Sequence, residues 1–138
     1  MPKRRRGCRH PIRPRPPAHH RSFAALVDRA LQGIPPPFRE ALDEVAVVIE
    51  DEPTAQQRID NELAPDDVLY GLYEGVPRTA YGADWVASPN RISLFRLPLE
   101  DDFADPDELA DQVRRTVIHE LAHHLGIDDR RLRELDAD

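Results

Sequence analysis

The sequence predicts a single domain of the α+β class, and three features of the chain indicate this class. Short segments rich in β-branched and aromatic residues are typical of strands at 45–50, 68–73 and 91–97. A longer segment, 105–125, has the capping residues and the apolar period of a helix. The 138 residues give room for one hydrophobic core.

Residues 1–21 differ in composition from the rest of the chain. They contain eight basic side chains, no acidic side chain and five prolines. Such a segment cannot bury enough apolar surface to offset the entropy lost on ordering, so we expect a disordered tail followed by a folded domain over 22–138. A basic arm for nucleic acid is one alternative. A metal site built on Cys8 and the tail histidines is another, although their spacing matches no common zinc pattern.

The charge and the cysteine content limit which partners and which cellular location the sequence predicts. The chain carries a net charge of −7. Without the eight basic residues of the tail, 11 basic side chains of the 19 remain against 26 acidic ones. Such an acidic body argues against nucleic-acid binding except weakly through residues 1–21. One cysteine, no apolar run of ~20 residues and no signal-like segment predict a cytoplasmic protein without a membrane partner.

The sequence of the first half of the domain predicts two helices and a strand. Residues 22–33 begin with Ser22 as N-cap, carry one apolar stripe and end at Gly33, before three consecutive prolines. A short second helix is expected over 37–43. Segment 45–50 is nearly all apolar and predicts a buried central strand, whereas 52–63 predicts a loop or a weak helix.

The second half predicts two further strands before the long helix. Segment 68–73 is a predicted strand, 79–90 a loop, and 91–97 a strand that Pro98 stops. The aromatic residues of this region are interpreted as half-buried packing rather than substrate contacts: Tyr70, Tyr73, Tyr81 and Trp85.

The long helix begins with Asp105 as N-cap, Pro106 at its first position and Glu108 as in a capping box. Its apolar residues recur every four positions, and Gly126 suits the position just after its end. A short closing helix is expected in 128–138 because Leu132 and Leu135 have helical spacing.

The end of this helix contains the motif H-E-x-x-H. His119 and His123 lie one turn apart, so both imidazoles project from the same face and can bind one metal ion. Glu120 lies beside this pair and is placed to act as a general base towards a water at the metal. Gly126 allows the chain to reverse and bring back a third ligand, Asp129, with Asp128 as the alternative.

The segment 119–129, H-E-L-A-H-H-L-G-I-D-D, resembles the zincin motif H-E-x-x-H-x-x-G-x-x-D, in which aspartate replaces the third histidine of the metzincins. Together with 69–77 and 91–95, it resembles the small bacterial zincin-like metallopeptidases, or minimal zincins, over residues 38–135. The resemblance implies a small mixed sheet of three to four strands packed against the active-site helix and a second helix. It also implies one Zn²⁺ held by His119, His123 and Asp129, with Glu120 as base.

The resemblance further implies that 91–97 is an edge strand able to bind an extended peptide by strand addition. The predicted substrate-binding residues are therefore Arg91, Ile92, Ser93, Leu94 and Phe95. His124 is predicted to be a surface or supporting histidine, with substrate binding as a further option. The sequence lacks the methionine turn of the metzincins because its only methionine is Met1. Only 12 of the 138 residues follow Gly126, so we expect a shallow, one-sided cleft.

Three functions follow from these patterns. The first is a zinc-dependent metallopeptidase that acts on peptide or protein substrates. The second is a non-catalytic zinc-binding interaction module, and the third is a nucleic-acid-associated protein that uses the basic N-terminal arm. The sequence predicts no oligomeric state.

Overall fold

The computed structural model describes residues 3–5, 17–75 and 90–134, with side chains for 22–75, 90–128 and 130–134. The helices are α1 Pro17–Leu31, α2 Phe38–Leu42, α3 Ala55–Asp60, α4 Arg96–Asp102, α5 Pro106–Leu125 and α6 Asp129–Glu134. The strands are β1 Lys3–Arg5, β2 Ala46–Glu50, β3 Asp67–Leu69, β4 Gly71–Glu74 and β5 Arg91–Phe95. No helix in these ranges combines the length and the apolar character needed to cross a membrane.

A three-stranded mixed sheet packs against α5. Its strand order is β2-β5-β4, with β5 parallel to β2 and antiparallel to β4. Helix α1 packs on α5 as the second main helix, and β1 and β3 form a separate antiparallel pair. This arrangement confirms the predicted α+β fold with a small mixed sheet on two helices.

The core lies between α5, α1 and one face of the sheet. Helix α5 buries an apolar stripe that includes Val113, Val117 and Leu121, each with no exposed surface. The stripe belongs to one cluster with Phe23 of α1 and with Ile92 of β5. Because this apolar stripe follows the helical period, burying it fixes which residues of α5 remain outside the core.

Two predictions about the strands are wrong. Strand β2 was expected in the centre of the sheet but lies at the edge of the described strands, with Ala46 exposed. Strand β5 was expected at an edge but lies in the centre, paired on both sides. Its two faces enter different clusters, since Ile92 packs towards α5 whereas Phe95 packs with Leu69 and Leu72. This two-sided burial explains why its apolar residues occur on both faces.

Several element boundaries also differ from the predictions. The segment 68–73 is divided at Tyr70 into β3 and β4. Strand β5 ends at Phe95, and Pro98 lies in the first turn of α4, where its missing N–H removes no helical hydrogen bond. Residues 52–63 contain α3, which a capping box of Thr54 and Gln57 begins.

The predicted tail overlaps two elements of the structure. Strand β1 lies within residues 1–21, and α1 begins at Pro17 rather than at Ser22. Residues 1–2 and 6–16 lie outside the described residues. The domain boundary at residue 22 and the expected disorder therefore stay predictions, with α1 crossing that boundary.

Gly71 permits the close approach of β4 to α5, which a substitution can test. A Cβ atom at Gly71 would lie 2.5 Å from Thr116 Cγ2. We expect Gly71→Ala to lower the free energy of unfolding by about 1–3 kcal/mol, measured by urea denaturation, because either β4 or α5 must move. Gly33→Ala is the control, since its Cβ would meet atoms at 3.6 and 3.8 Å.

Adding Thr116→Ser to Gly71→Ala removes the clashing methyl group and retains the hydroxyl that accepts from Gln112 Nε2. This second substitution should restore at least half of the lost stability. Wild-type stability of the Gly71→Ala single variant would contradict the proposed steric role.

Candidate metal centre

The candidate centre is built on the last two turns of α5. Asp105 caps the start of this helix by accepting from Glu108 N at 3.0 Å. Gly126 ends it in the left-handed region, with φ of 74°, and Ile127 N donates back to Ala122 O. A glycine adopts this φ without the steric cost that a Cβ atom would bring. The predicted helix with its two caps is confirmed, so the motif residues have regular helical spacing.

His119 and His123 form a half-exposed pair. Their ring centroids are 5.3 Å apart and the rings are inclined at 72°. Both residues are partly buried, and the His123 side chain retains 33% of its exposure. The arrangement keeps two imidazoles within reach of one ion while one side of the pair faces solvent.

Glu120 is fully buried beside this pair. Its Oε2 atom accepts from Tyr73 N at 3.2 Å and lies 3.1 Å from His123 Nδ1. Its Oε1 atom is buried and has no hydrogen-bond partner among the described residues. Because buried polar atoms are almost always hydrogen-bonded, this oxygen is suited to a donor that binds during function.

The position of His123 beside the Glu120 carboxylate is typical of a histidine that binds a metal. A metal-binding histidine commonly donates its second ring N–H to a carboxylate, which fixes the ring and its tautomer. His123 Nδ1 lies 3.1 Å from Glu120 Oε2, so this side of the ring faces the carboxylate and Nε2 is the nitrogen left to bind an ion. The donor set of two imidazoles beside a buried carboxylate therefore fits a zinc ion.

Of the two candidates for the third ligand, Asp128 has contacts that the structure describes. Asp128 Oδ1 accepts from Arg131 N at 2.8 Å, and Asp128 O accepts from Leu132 N, so Asp128 is the N-cap of α6. Asp129 is the first residue of α6, and its side chain lies outside those described. Among the side chains that are described, no three histidines, cysteines or acids are grouped as a metal site.

The edge of β4 meets the centre at Tyr73, which the sequence indicated only as a packing residue. Its backbone N–H reaches Glu120, and its hydroxyl lies 3.0 Å from Asn90 Oδ1 and 3.1 Å from His124 Nδ1. Gly71, Tyr73 and Ile92 share the sheet face that packs on α5. The alternation of Gly71 and Tyr73 along the strand is the sequence signal for this shared face.

His124 is also fully buried, and it lies away from the His119 and His123 pair. Its Nε2 atom is 2.6 Å from Glu44 Oε2, and its Nδ1 atom contacts the Tyr73 hydroxyl. Because the ring has no exposed surface, the predicted substrate contact of His124 is wrong. Glu44, in the turn after α2, was not predicted as part of the site, and no local pattern connects it to a residue 80 positions away.

The predicted substrate-binding strand cannot accept a peptide by strand addition. The backbone of β5 is paired with β2 on one side and with β4 on the other. Ile92, Ser93, Leu94 and Phe95 are buried, and Arg91 forms an ion pair with Glu74 at 3.0 Å. The prediction for Arg91–Phe95 is therefore wrong, since a peptide needs an unpaired strand edge. Tyr81 and Trp85 lie outside the described residues.

The chain was compared with protein families and with curated proteins. A family model described as zincin-like metallopeptidase matches residues 42–138, which include every residue of the candidate centre. No curated protein matches the chain.

The unpartnered oxygen of Glu120 predicts an effect on stability. We expect Glu120→Gln to raise the free energy of unfolding by about 1–2 kcal/mol, because a neutral amide costs less to bury than a carboxylate with an unpartnered oxygen. Urea denaturation in the presence of a chelator measures this difference without any contribution from bound metal.

Glu100→Gln is the matched control, because the Glu100 carboxylate is paired with Arg96 at 2.8 Å and its side chain is largely buried. This control should lose stability. Equal losses in both variants would contradict the idea that Glu120 is held in an energetically unfavourable position.

Proposed function

Because the chain belongs to the zincin-like metallopeptidase family, we propose that it is a zinc-dependent peptidase with Glu120 as its general base. His119, His123 and Asp129 would hold one Zn²⁺. The single observation that carries this proposal is the buried Glu120 carboxylate, which has one oxygen bonded to the Tyr73 N–H beside His123 and the other without a partner among the described residues.

The ion and the residues of the chain would supply different parts of the proposed reaction. When bound, zinc acts as a Lewis acid that lets a coordinated water lose a proton near neutral pH. Glu120 Oε1 accepts the proton of the attacking water and then delivers it to the nitrogen of the leaving amine. The Tyr73 N–H holds Oε2, with His123 Nδ1 3.1 Å away, so the carboxylate presents Oε1 as its unpartnered oxygen.

The capping role of Asp128 and the spacing of the motif support Asp129 as the third ligand. The Asp128 carboxylate caps α6 and is thereby used in the local structure. Asp129 follows the chain reversal at Gly126 by three positions, the spacing of the family motif that the sequence resembles.

The strand edge beside the base is that of β4. Phe95 N donates to Tyr70 O, so the alternating backbone groups of Gly71 and Tyr73 point away from β5. In the described part of the chain, β4 pairs with one strand only. We propose that an extended peptide lies next to Glu120 beside Gly71, while the Tyr73 N–H stays on Glu120 Oε2, and peptides are accordingly the proposed substrates. A cytoplasmic location stays a prediction from the sequence.

The ligand assignment predicts selective loss of zinc. We expect His119→Ala and Asp129→Asn to weaken zinc binding by at least tenfold, because each removes a donor from the ion. Elemental analysis of the purified variants and competition with a chromophoric chelator measure the binding.

Asp128→Asn is the matched control, because asparagine retains the capping role but removes the charge. It should bind zinc within about threefold of the wild type, since it removes no proposed ligand. Loss of zinc from Asp128→Asn, with retention in Asp129→Asn, would make Asp128 rather than Asp129 the third ligand.

The role of Glu120 predicts separation of binding from catalysis. Glu120→Gln should retain zinc but lower kcat for peptide hydrolysis by roughly 100- to 10,000-fold, the usual contribution of a general base. Mass spectrometry of a peptide library incubated with each zinc-loaded protein measures the cleavage.

Cleavage by Glu120→Gln at the wild-type rate would contradict its assignment as base. A zinc-loaded wild type that cleaves no peptide would instead support the non-catalytic zinc-binding module.

A further inference from the structure

A chain of three hydrogen-bonded polar side chains, with a fully buried histidine at its centre, lies behind the candidate base. It starts at Glu44 in the turn after α2, passes through His124 of α5 and ends at Tyr73 of β4. The Glu44 side chain is 39% exposed, whereas His124 has no exposed surface. These residues therefore connect a surface turn to the strand edge beside Glu120.

The hydrogen bonds hold the His124 ring at both nitrogens. The Glu44 carboxylate accepts, so His124 Nε2 donates to it over 2.6 Å. His124 Nδ1 lies 3.1 Å from the Tyr73 hydroxyl. A ring bonded at both nitrogens inside the core has one orientation, and it fixes the position of the phenol that it contacts.

Tyr73 is held at two ends. Its phenol is held by His124 and Asn90, and its backbone N–H donates to Glu120 Oε2. The absence of a side chain at Gly71 allows this part of β4 to lie directly on Thr116 of α5. Movement of the Tyr73 side chain would consequently move the N–H that orients the Glu120 carboxylate.

We infer that Glu44, His124 and Tyr73 form a positioning chain that holds the β4 edge on α5 and thereby orients Glu120. None of the three side chains touches substrate in this role. The catalytic consequence rests on the proposed function of Glu120, whereas the placement of the Tyr73 N–H does not. A buried histidine that only stabilises the core would lower stability without moving this N–H.

The main test compares two tyrosines that differ in their contacts. Tyr73→Phe removes the hydroxyl that meets His124 and leaves the backbone N–H. Tyr70→Phe is the matched control, because the Tyr70 hydroxyl is also in the core region but donates to Asp102 Oδ2. Two measurements apply to each variant: amide hydrogen exchange at residue 73 in chelator, and kcat and KM of the zinc-loaded protein on a cleaved peptide.

We expect Tyr73→Phe to speed exchange at residue 73 and to lower kcat by about tenfold, with KM and zinc affinity nearly unchanged, because only the orientation of the base is disturbed. Tyr70→Phe should match the wild type in both measurements. Equal behaviour of the two variants in exchange and in kcat would overturn the inference.

A second pair of variants separates the two bonds of His124. The amide nitrogen of His124→Asn lies near the former Nδ1 and can still reach Tyr73, whereas that of His124→Gln lies near the former Nε2 and can reach Glu44. His124→Asn should therefore retain more protection of the residue 73 amide and more kcat than His124→Gln. The opposite order would overturn the inference. If the wild type cleaves no peptide, the proposed function fails, while the exchange measurements still decide whether the positioning chain exists.

Discussion

The buried carboxylate of Glu120 is the constraint to which the candidate centre is adapted. A carboxylate without exposed surface is costly to keep in a protein interior unless donors surround it. Here the Tyr73 N–H holds one oxygen, which also lies 3.1 Å from His123 Nδ1, and the other oxygen has no partner among the described residues. The site can thus accept a further donor, which agrees with the proposed role of Glu120 as general base.

Helix α5 serves both the core and the site because its faces have different compositions. The apolar stripe of Val113, Val117 and Leu121 packs against α1 and the sheet. The stripe fixes the rotation of the helix, and that rotation leaves His119 and His123 half-exposed at its end. Substitutions in the stripe would thus displace the centre as well as lower the stability.

The support of the centre comes from distant parts of the chain. Strand β4 contributes the N–H of Tyr73, and the turn after α2 contributes Glu44. Each contact is a hydrogen bond to a residue of α5 that is buried. Such contacts give the edge of a small sheet a defined position, which a three-stranded sheet with few neighbours would otherwise lack.

The sequence by itself determined the long helix, its caps and the spacing of the motif residues. These features are local: an N-cap acts over three residues, a left-handed glycine acts at one position, and two histidines four apart share a helix face. The α+β class was also predictable, because the strand-like segments and the helical period are properties of short stretches.

Only the tertiary structure decided which strand is central and which side chains support Glu120. The apolar character of β2 and β5 is similar, so neither the edge nor the centre could be read from composition. The partners Tyr73 and Glu44 lie 47 and 80 residues from the α5 residues that they contact. Strand pairing and such contacts depend on how distant segments pack together, and no local period in the sequence encodes that packing.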